Sequence, residues 1–211
     1  MPVTMATALR RTTIACGSAA AALALTAGLA APAHADHEDT PTSRQLLELC
    51  NNGTDVCVFH PEGPVREHQA ARHVVGSPVY NCTDREQWMT VGWSDTTSES
   101  NSVGLSLGGG YKFGEVFQVS FEATYGHEWK NSHTESQTTT VIAAPGEVGR
   151  VYVGPRMQTV NGTYELHFPD RYYGHYYWYV PFEATGPTAD QSGTITQSTR
   201  PMTSEERAAH C

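Results

Sequence analysis

Lysine is almost missing from this chain, which contains only Lys112 and Lys130. Lysine and arginine together number 13 against 22 aspartates and glutamates, so the formal net charge is −9. A chain this acidic lacks the clustered basic residues that bind nucleic acid. It also lacks the polybasic patch that binds anionic lipid. Nucleic acid is therefore not an expected partner, and any membrane contact must be apolar or must go through a receptor.

Catalytic motifs are missing as well. The sequence has no Gly-x-Ser-x-Gly elbow, no phosphate-binding loop and no His-Glu-x-x-His helix. His167, Asp170 and His175 lie close together in sequence and are the nearest approach to a metal site, but a turn with surface imidazoles explains them more simply. We therefore expect no catalytic residue, no metal ion and no cofactor, and we predict that the protein is not an enzyme.

The N-terminus has the pattern of an export signal. Arg10 and Arg11 precede an alanine- and leucine-rich core over residues 15–31, and a small-x-small cleavage site ends at Ala35. We predict that residues 1–35 are a signal peptide and that the protein is secreted. A membrane anchor is the alternative, which the cleavage site disfavours.

The remainder of the chain has the size of one folded unit. Residues 36–44 are acidic and polar, and we predict that they form a flexible N-terminal arm. Residues 45–211 are long enough to bury a sizeable core, and we predict a single β-rich domain there.

Four cysteines follow the predicted signal peptide, and an even number in an exported protein indicates two disulfides. Three pairings are possible. The short loop favours Cys50–Cys57, which leaves Cys82–Cys211. A zinc site is the rival interpretation, but the spacings do not fit paired zinc ligands.

The most regular stretch is residues 103–129, where apolar or aromatic side chains alternate with small or polar ones. A period of two is typical of extended β-structure with one apolar and one polar face. Gly114-Glu115 or the glycines at 108–110 provide a hinge, so we predict a β-hairpin. Its apolar face consists of Val103, Leu105, Leu107, Tyr111, Phe113, Phe117, Val119, Phe121, Tyr125 and Trp129.

The surrounding sequence also favours strands. The Ser/Thr-rich segments 95–102 and 131–140 contain no strand breaker. Asn161-Gly162 predicts a tight hairpin between strands at 157–160 and 163–168. We predict short helices near residues 45–50 and 202–210, and an all-β, mainly antiparallel fold overall.

A dense aromatic run near the C-terminus has two interpretations. Consecutive aromatic residues point to both faces of a strand, which favours a buried central strand. The alternative is a platform that binds glycans or lipid headgroups, because tyrosine and tryptophan combine an apolar ring with a polar tip. The candidate binding residues are Tyr172, Tyr173, Tyr176, Tyr177, Trp178 and Tyr179.

The apolar face of the predicted hairpin can be covered in two ways. It packs inward in a β-sandwich, or it faces lipid. Each arm has the roughly 9–11 residues that a membrane-spanning strand needs. One hairpin cannot close a β-barrel, so the second possibility requires an oligomer to which each subunit contributes two strands.

These patterns resemble a known family. Two Ser/Thr-rich segments flank an amphipathic hairpin, and V-I-A-A-P-G and then V-x-V follow. Over about residues 90–168 the chain looks like the pore-forming module of aerolysin-type toxins, including the epsilon-toxin-like branch. The resemblance implies an elongated, aerolysin-like fold with long Ser/Thr-rich strands and little helix.

The resemblance also implies a function. The monomer would be soluble, and copies would then form a ring whose hairpins, residues 103–129, insert together into a target membrane. The implied partners are a target membrane or surface receptor, and further copies of the chain. The alternative is a non-lytic secreted binding or scaffold protein, a subunit of an extracellular assembly that contacts another secreted protein.

Overall fold

The computed structural model describes residues 40–188 and 193–211, and in these ranges the protein is mainly antiparallel β-structure, as the sequence predicts. The elements in chain order are α1 (Ser43–Glu48), β1 (Val56–Gln69), β2 (His73–Tyr80), β3 (Gln87–Ser98), β4 (Ser100–Asn101), α2 (Lys112–Tyr125), β5 (Ser132–Ala143), β6 (Glu147–Gly154), β7 (Arg156–Tyr172), β8 (His175–Pro187), β9 (Thr194–Pro201) and α3 (Ser204–His210). The predicted signal peptide and residues 36–39 of the predicted arm lie outside the described residues, and the last two residues of the arm, Ser43 and Arg44, belong to α1.

The largest sheet has the strand order β1-β7-β8-β4, and α2 packs against it. Alternate residues of its strands point toward the helix and are buried, as the two-residue period of a strand requires. The buried residues that these strands contribute to the core are Cys57, Phe59, Val160, Tyr164, Leu166, Phe168, Val180, Phe182 and Ala184. This core fixes the position of α2.

The other two sheets, β2-β6-β9 and β3-β5, enclose a second core. β2 contacts β3, and β5 contacts β6. The buried residues of this second core are Val75, Val91, Trp93, Val141, Val151 and Val153. One end of the β3-β5 pair is therefore held by apolar packing.

The hairpin predicted at Asn161-Gly162 is wrong, because β7 runs through both residues without a turn. Gly162 is needed for close packing: a Cβ atom there would lie 2.6 Å from Cε2 of Phe59. β1 likewise continues through Pro61-Glu62-Gly63-Pro64, a sequence typical of a turn, and its register shifts between Glu62 and Arg66. Tertiary packing overrides the local turn signal at both places.

Both predicted disulfides are present. Cys50–Cys57 joins the end of the α1 region to β1, and Cys82–Cys211 ties the C-terminus to the loop after β2. The two predicted helices are confirmed as α1 and α3, each of which begins with a capping box.

Candidate functional site

The β3-β5 ribbon is the most regular part of the molecule. Its 12-residue strands pair antiparallel without a bulge, from Gln87 opposite Ala143 to Ser98 opposite Ser132. Neither strand contains lysine, arginine or proline. Residues 95–98 of the first predicted Ser/Thr-rich segment form the end of β3, and they pair with the start of the second segment, which lies in β5.

One face of the ribbon is exposed and carries no charge. Hydroxyl groups pair across it: Thr96 and Thr134 are hydrogen-bonded at 2.9 Å, and Ser136 donates to Ser94 at 2.8 Å. All its residues have even numbers: Trp88, Thr90, Gly92, Ser94, Thr96, Ser98, Ser132, Thr134, Ser136, Thr138, Thr140 and Ile142. The odd-numbered residues face the opposite way, and Val91, Trp93 and Val141 among them are buried.

The segment between these strands is not the β-hairpin that the sequence predicts. Residues 103–111 form an irregular connection, and Lys112–Tyr125 form helix α2. Phe113, Phe117 and Phe121 are spaced four apart, so they satisfy a helical stripe as well as a two-residue period. The helix prevails because it buries all three rings.

The rings of α2 lie against the largest sheet. The Phe117 ring centroid is 5.0 Å from that of Phe59 and 5.7 Å from that of Phe182, and Phe117 and Phe121 both contact Trp129 edge-on. Of the ten residues predicted for the hairpin's apolar face, Leu107, Phe113, Phe117, Phe121 and Trp129 are buried. Val119 is 69% exposed and Tyr111 is 49% exposed.

Polar contacts hold the first turn of α2. The Tyr164 hydroxyl donates to the Phe113 carbonyl at 2.8 Å, and the Lys112 amide donates to Asn51 Oδ1 at 2.6 Å. Burial raises the pKa of Tyr164 well above its usual value. The helix ends at Gly126, whose φ of 77° is the left-handed C-cap conformation. Gly114 is inside the helix and is not the hairpin turn predicted for it.

Continuing the β3-β5 register along the chain gives an arrangement that the present structure does not adopt. Because each step forward on β3 is one step back on β5, the next pairs would include Val103 with His127, Tyr111 with Val119, and Phe113 with Phe117. Glu115 would lie at the apex. This is the turn position that the sequence predicts from Gly114-Glu115.

The faces of such an extended ribbon would be continuous. Odd residues pair with odd residues, so the apolar side chains of residues 103–129 would continue the face of Val91 and Trp93. Even residues would continue the Ser/Thr face with serine, glycine, threonine and glutamine, together with Lys112, Val116, Glu122 and Glu128. The ribbon's register and the alternation of the intervening sequence are therefore compatible.

The aromatic run forms the tip of the β7-β8 hairpin, which turns at Tyr173-Gly174. Four of its tyrosines are exposed: Tyr173, Tyr176, Tyr177 and Tyr179. Tyr172 and Trp178 are partly buried against the core. The run is therefore not a strand buried on both faces: its aromatic residues are largely exposed, and from Val180 onward alternate residues are buried, on one face of β8.

The clearest cluster of titratable groups lies on the outer face of the largest sheet. Glu165 contacts Nε2 of His60 at 2.9 Å and Nε2 of His167 at 2.6 Å, and hydrogen bonds from these histidines, His167 first, lower its pKa. The described residues contain no group of three or more side chains suited to hold a metal ion. In the same residues, no helix has the length and apolarity needed to cross a membrane.

Comparisons with known proteins give little further information. No protein-family model matches the chain, and neither does any curated protein sequence. Several solved structures align in part, including the following two. One is a candidate pore-forming toxin from Bacteroides vulgatus, with 10% identity, a TM-score of 0.31, and coverage of 72% of this chain and 59% of that one.

The other structure is parasporin-2, a Bacillus thuringiensis toxin that recognizes cancer cells. It has 15% identity and a TM-score of 0.22, and the alignment covers 69% of this chain and 74% of that one. Alignments this weak carry no argument about function, which therefore depends on the geometry above.

Proposed function

We propose that this protein is a secreted, oligomeric pore-forming protein whose residues 99–131 leave the core and insert into a target membrane as a β-hairpin. The carrying observation is the β3-β5 register, which runs into this segment so that its apolar residues share one face and Glu115 lies at the apex. Within this segment, residues 103–113 and 117–129 supply at least the roughly 9–11 residues that each tilted membrane strand requires.

The β3-β5 ribbon also supports assembly. Among the described strands these two pair only with each other, so each has an open edge. Neither edge has the lysine, proline or bulge that commonly blocks pairing with another chain. Copies of the ribbon can pair edge to edge, with their Ser/Thr faces lining a water-filled lumen and the extended apolar faces in lipid.

The release of α2 has a cost. Each buried phenylalanine ring that becomes exposed to water raises the free energy of the released state by about 1.5–3 kcal/mol. In the inserted state the same rings lie in lipid, and the backbone of the segment forms hydrogen bonds along the hairpin and with neighbouring hairpins. The soluble monomer therefore keeps α2 in place, and assembly on a membrane favours its release.

A disulfide that ties the irregular connection before α2 to Asn131, the residue before β5, tests this proposal because it blocks the pairing of the extended hairpin. A Cβ atom at Gly108 would lie 3.9 Å from Cγ of Asn131, so Gly108→Cys with Asn131→Cys can form a bond after a small adjustment. In the extended hairpin these positions are far out of register. The oxidised double variant should bind vesicles but release no dye, and mild reduction should restore release.

The two single-cysteine variants and reduced wild type are the controls, because reduction also affects the native disulfides. Equal dye release by the oxidised double variant and the wild type would contradict hairpin extension. If the wild type neither releases dye from vesicles or cells nor forms a large oligomer, the proposed function is wrong.

The second candidate is a non-lytic binding protein. It is favoured by the burial of Phe113, Phe117 and Phe121, which makes α2 an ordinary core helix. In that case the staple would raise stability and would leave every binding activity unchanged, and no vesicle would leak with or without it.

A further inference from the structure

The tip of the β7-β8 hairpin contains a residue in an unfavourable backbone conformation. Tyr173 has a φ of 49° and Gly174 a φ of 83°, and they form a two-residue turn closed by the pair Tyr172–His175. Such turns favour Asn-Gly, since asparagine tolerates a positive φ better than other side chains. Tyr173 is the only described non-glycine residue with a positive φ, so the tip keeps an exposed ring at the expense of backbone strain.

Exposed tyrosines surround this tip instead of forming a flat platform. Tyr173, at the apex, is 48% exposed. Tyr177 lies on the outer face of the sheet, opposite His167, whereas Tyr176 lies on the other face. Their exposed fractions are 58% and 46%. A ligand that contacts only one face would leave some of these rings unused.

The rings are held in place from behind. Tyr172 stacks on Phe168 at 5.0 Å and contacts the Tyr173 ring at 4.9 Å, and Nε1 of Trp178 donates to the Tyr172 carbonyl at 3.2 Å. The guanidinium of Arg171 lies 5.3 Å from the centre of the Tyr176 ring. The tip is thus a supported aromatic surface that carries a cation suited to phosphate.

We propose that this tip, residues 171–179, anchors the protein in the interfacial region of a zwitterionic phosphatidylcholine bilayer. Tyrosine rings favour this zone, where one end of the side chain is apolar and the other is wet. Arg171 supplies a phosphate contact, and the exposed rings attract quaternary ammonium groups. This inference deepens the proposed function, since it names the surface that first meets the membrane.

Charge favours zwitterionic over anionic lipid as the occupant. The chain has a formal net charge of −9, so anionic vesicles repel it. Binding through rings that enter the interface depends little on salt. We therefore expect the wild type to bind phosphatidylcholine vesicles, with little loss at high salt and weaker binding when phosphatidylserine is added.

The test is co-sedimentation of full-length variants with phosphatidylcholine vesicles. Tyr173→Asn removes the apex ring and relieves the backbone strain. Its partitioning should fall about tenfold, the scale of one lost interfacial ring, while its Tm rises by about 2–4 °C. Tyr176→Ser with Tyr177→Ser should likewise bind weakly. Val74→Thr, at an exposed apolar site on another sheet, is the matched control and should bind normally.

The proposal is overturned if Tyr173→Asn and the double variant partition onto vesicles as strongly as the wild type does. It is also overturned if the wild-type protein binds immobilised glycans but does not bind vesicles. The stapled Gly108/Asn131 variant separates this inference from the proposed function, because its tip is intact. If the oxidised stapled variant binds vesicles and releases dye from them, hairpin extension is contradicted and the membrane anchor is supported. If the tip variants bind vesicles and release dye as the wild type does, the membrane anchor is contradicted and pore formation is supported.

Discussion

Gly114 of helix α2 lies directly against the backbone of Leu107, so closely that a Cβ atom at position 114 would be 2.8 Å from the Leu107 carbonyl carbon. The same carbonyl accepts a hydrogen bond from Gln118 Nε2 at 3.1 Å. The irregular connection before α2 is therefore packed onto the helix, and both parts of the segment must move together when either is released.

Gly114→Ala should destabilise the protein. Alanine has the better helix propensity by about 1 kcal/mol, but its methyl group would overlap backbone that cannot shift without losing the Gln118 contact. We expect a net loss of about 1–2 kcal/mol in the free energy of unfolding, measured by urea titration. Val119→Ala, on the exposed side of the same helix, should change it by less than about 0.5 kcal/mol. Equal stability of Gly114→Ala and wild type would show that the packing is loose.

Tyr164→Phe should alter stability at alkaline pH. Burial raises the pKa of Tyr164 in the folded state, so its contribution is complete below the unfolded value of 10.0 and decreases as the pH rises further. The wild type should therefore lose up to about 1.4 kcal/mol per pH unit above pH 10 through this residue.

The phenylalanine variant should lose about 1 kcal/mol at neutral pH, because the hydrogen bond to Phe113 is gone, and should show a shallower alkaline decline. Urea titrations at pH 8 and at pH 11 measure both effects. An identical decline in the two proteins would mean that Tyr164 ionises without unfolding.

Several features could be predicted from the sequence because they depend on local pattern. The strands β3 and β5 follow from Ser/Thr-rich segments without breakers, and the disulfides follow from cysteine number and loop length. Helix α2 was missed because Phe113, Phe117 and Phe121 fit two periods at once. The helix is favoured over the strand because its rings pack against Phe59 and Phe182. These two residues are distant from α2 in the sequence, so a local pattern does not reveal them.

Some signals for α2 were nevertheless present. The four-residue spacing of its rings and Gly126 after the last turn are typical of a helix with a glycine C-cap. By contrast, the local sequence does not indicate that β7 continues through Asn161-Gly162. The Phe59 ring occupies the space beside the glycine there. Predicting that strand requires the tertiary neighbours.

Glu206→Gln should reduce the acid sensitivity of the C-terminal region. Hydrogen bonds from Arg200 and from the Thr203 backbone lower the pKa of Glu206 from 4.5 to about 2. A lowered pKa contributes stability that is present above pH 4.5 and is lost as the pH falls toward 2. Glutamine preserves the capping box but not the ion pair.

The Tm difference between wild type and Glu206→Gln should therefore shrink as the pH falls through this window, measured by thermal unfolding between pH 5 and pH 2. A difference that stays constant over that range would show that the effect does not depend on the ionisation of Glu206.

A lysine scan of α2 addresses hairpin insertion most directly. Val119 and Thr124 are both exposed in the helix, so Val119→Lys and Thr124→Lys should leave folding unchanged. In the extended hairpin they lie on opposite faces. Val119 would face lipid opposite Tyr111, where a lysine costs up to about 2–4 kcal/mol per copy. Thr124 would line the lumen.

The decisive measurement is the rate of dye release from vesicles by these two variants, matched for Tm and for vesicle binding. If residues 99–131 insert as a hairpin, Val119→Lys should reduce the rate of dye release by at least about tenfold. Thr124→Lys should release dye at the wild-type rate. Equal release by both variants, or a loss confined to Thr124→Lys, would contradict insertion of residues 99–131 in the β3-β5 register.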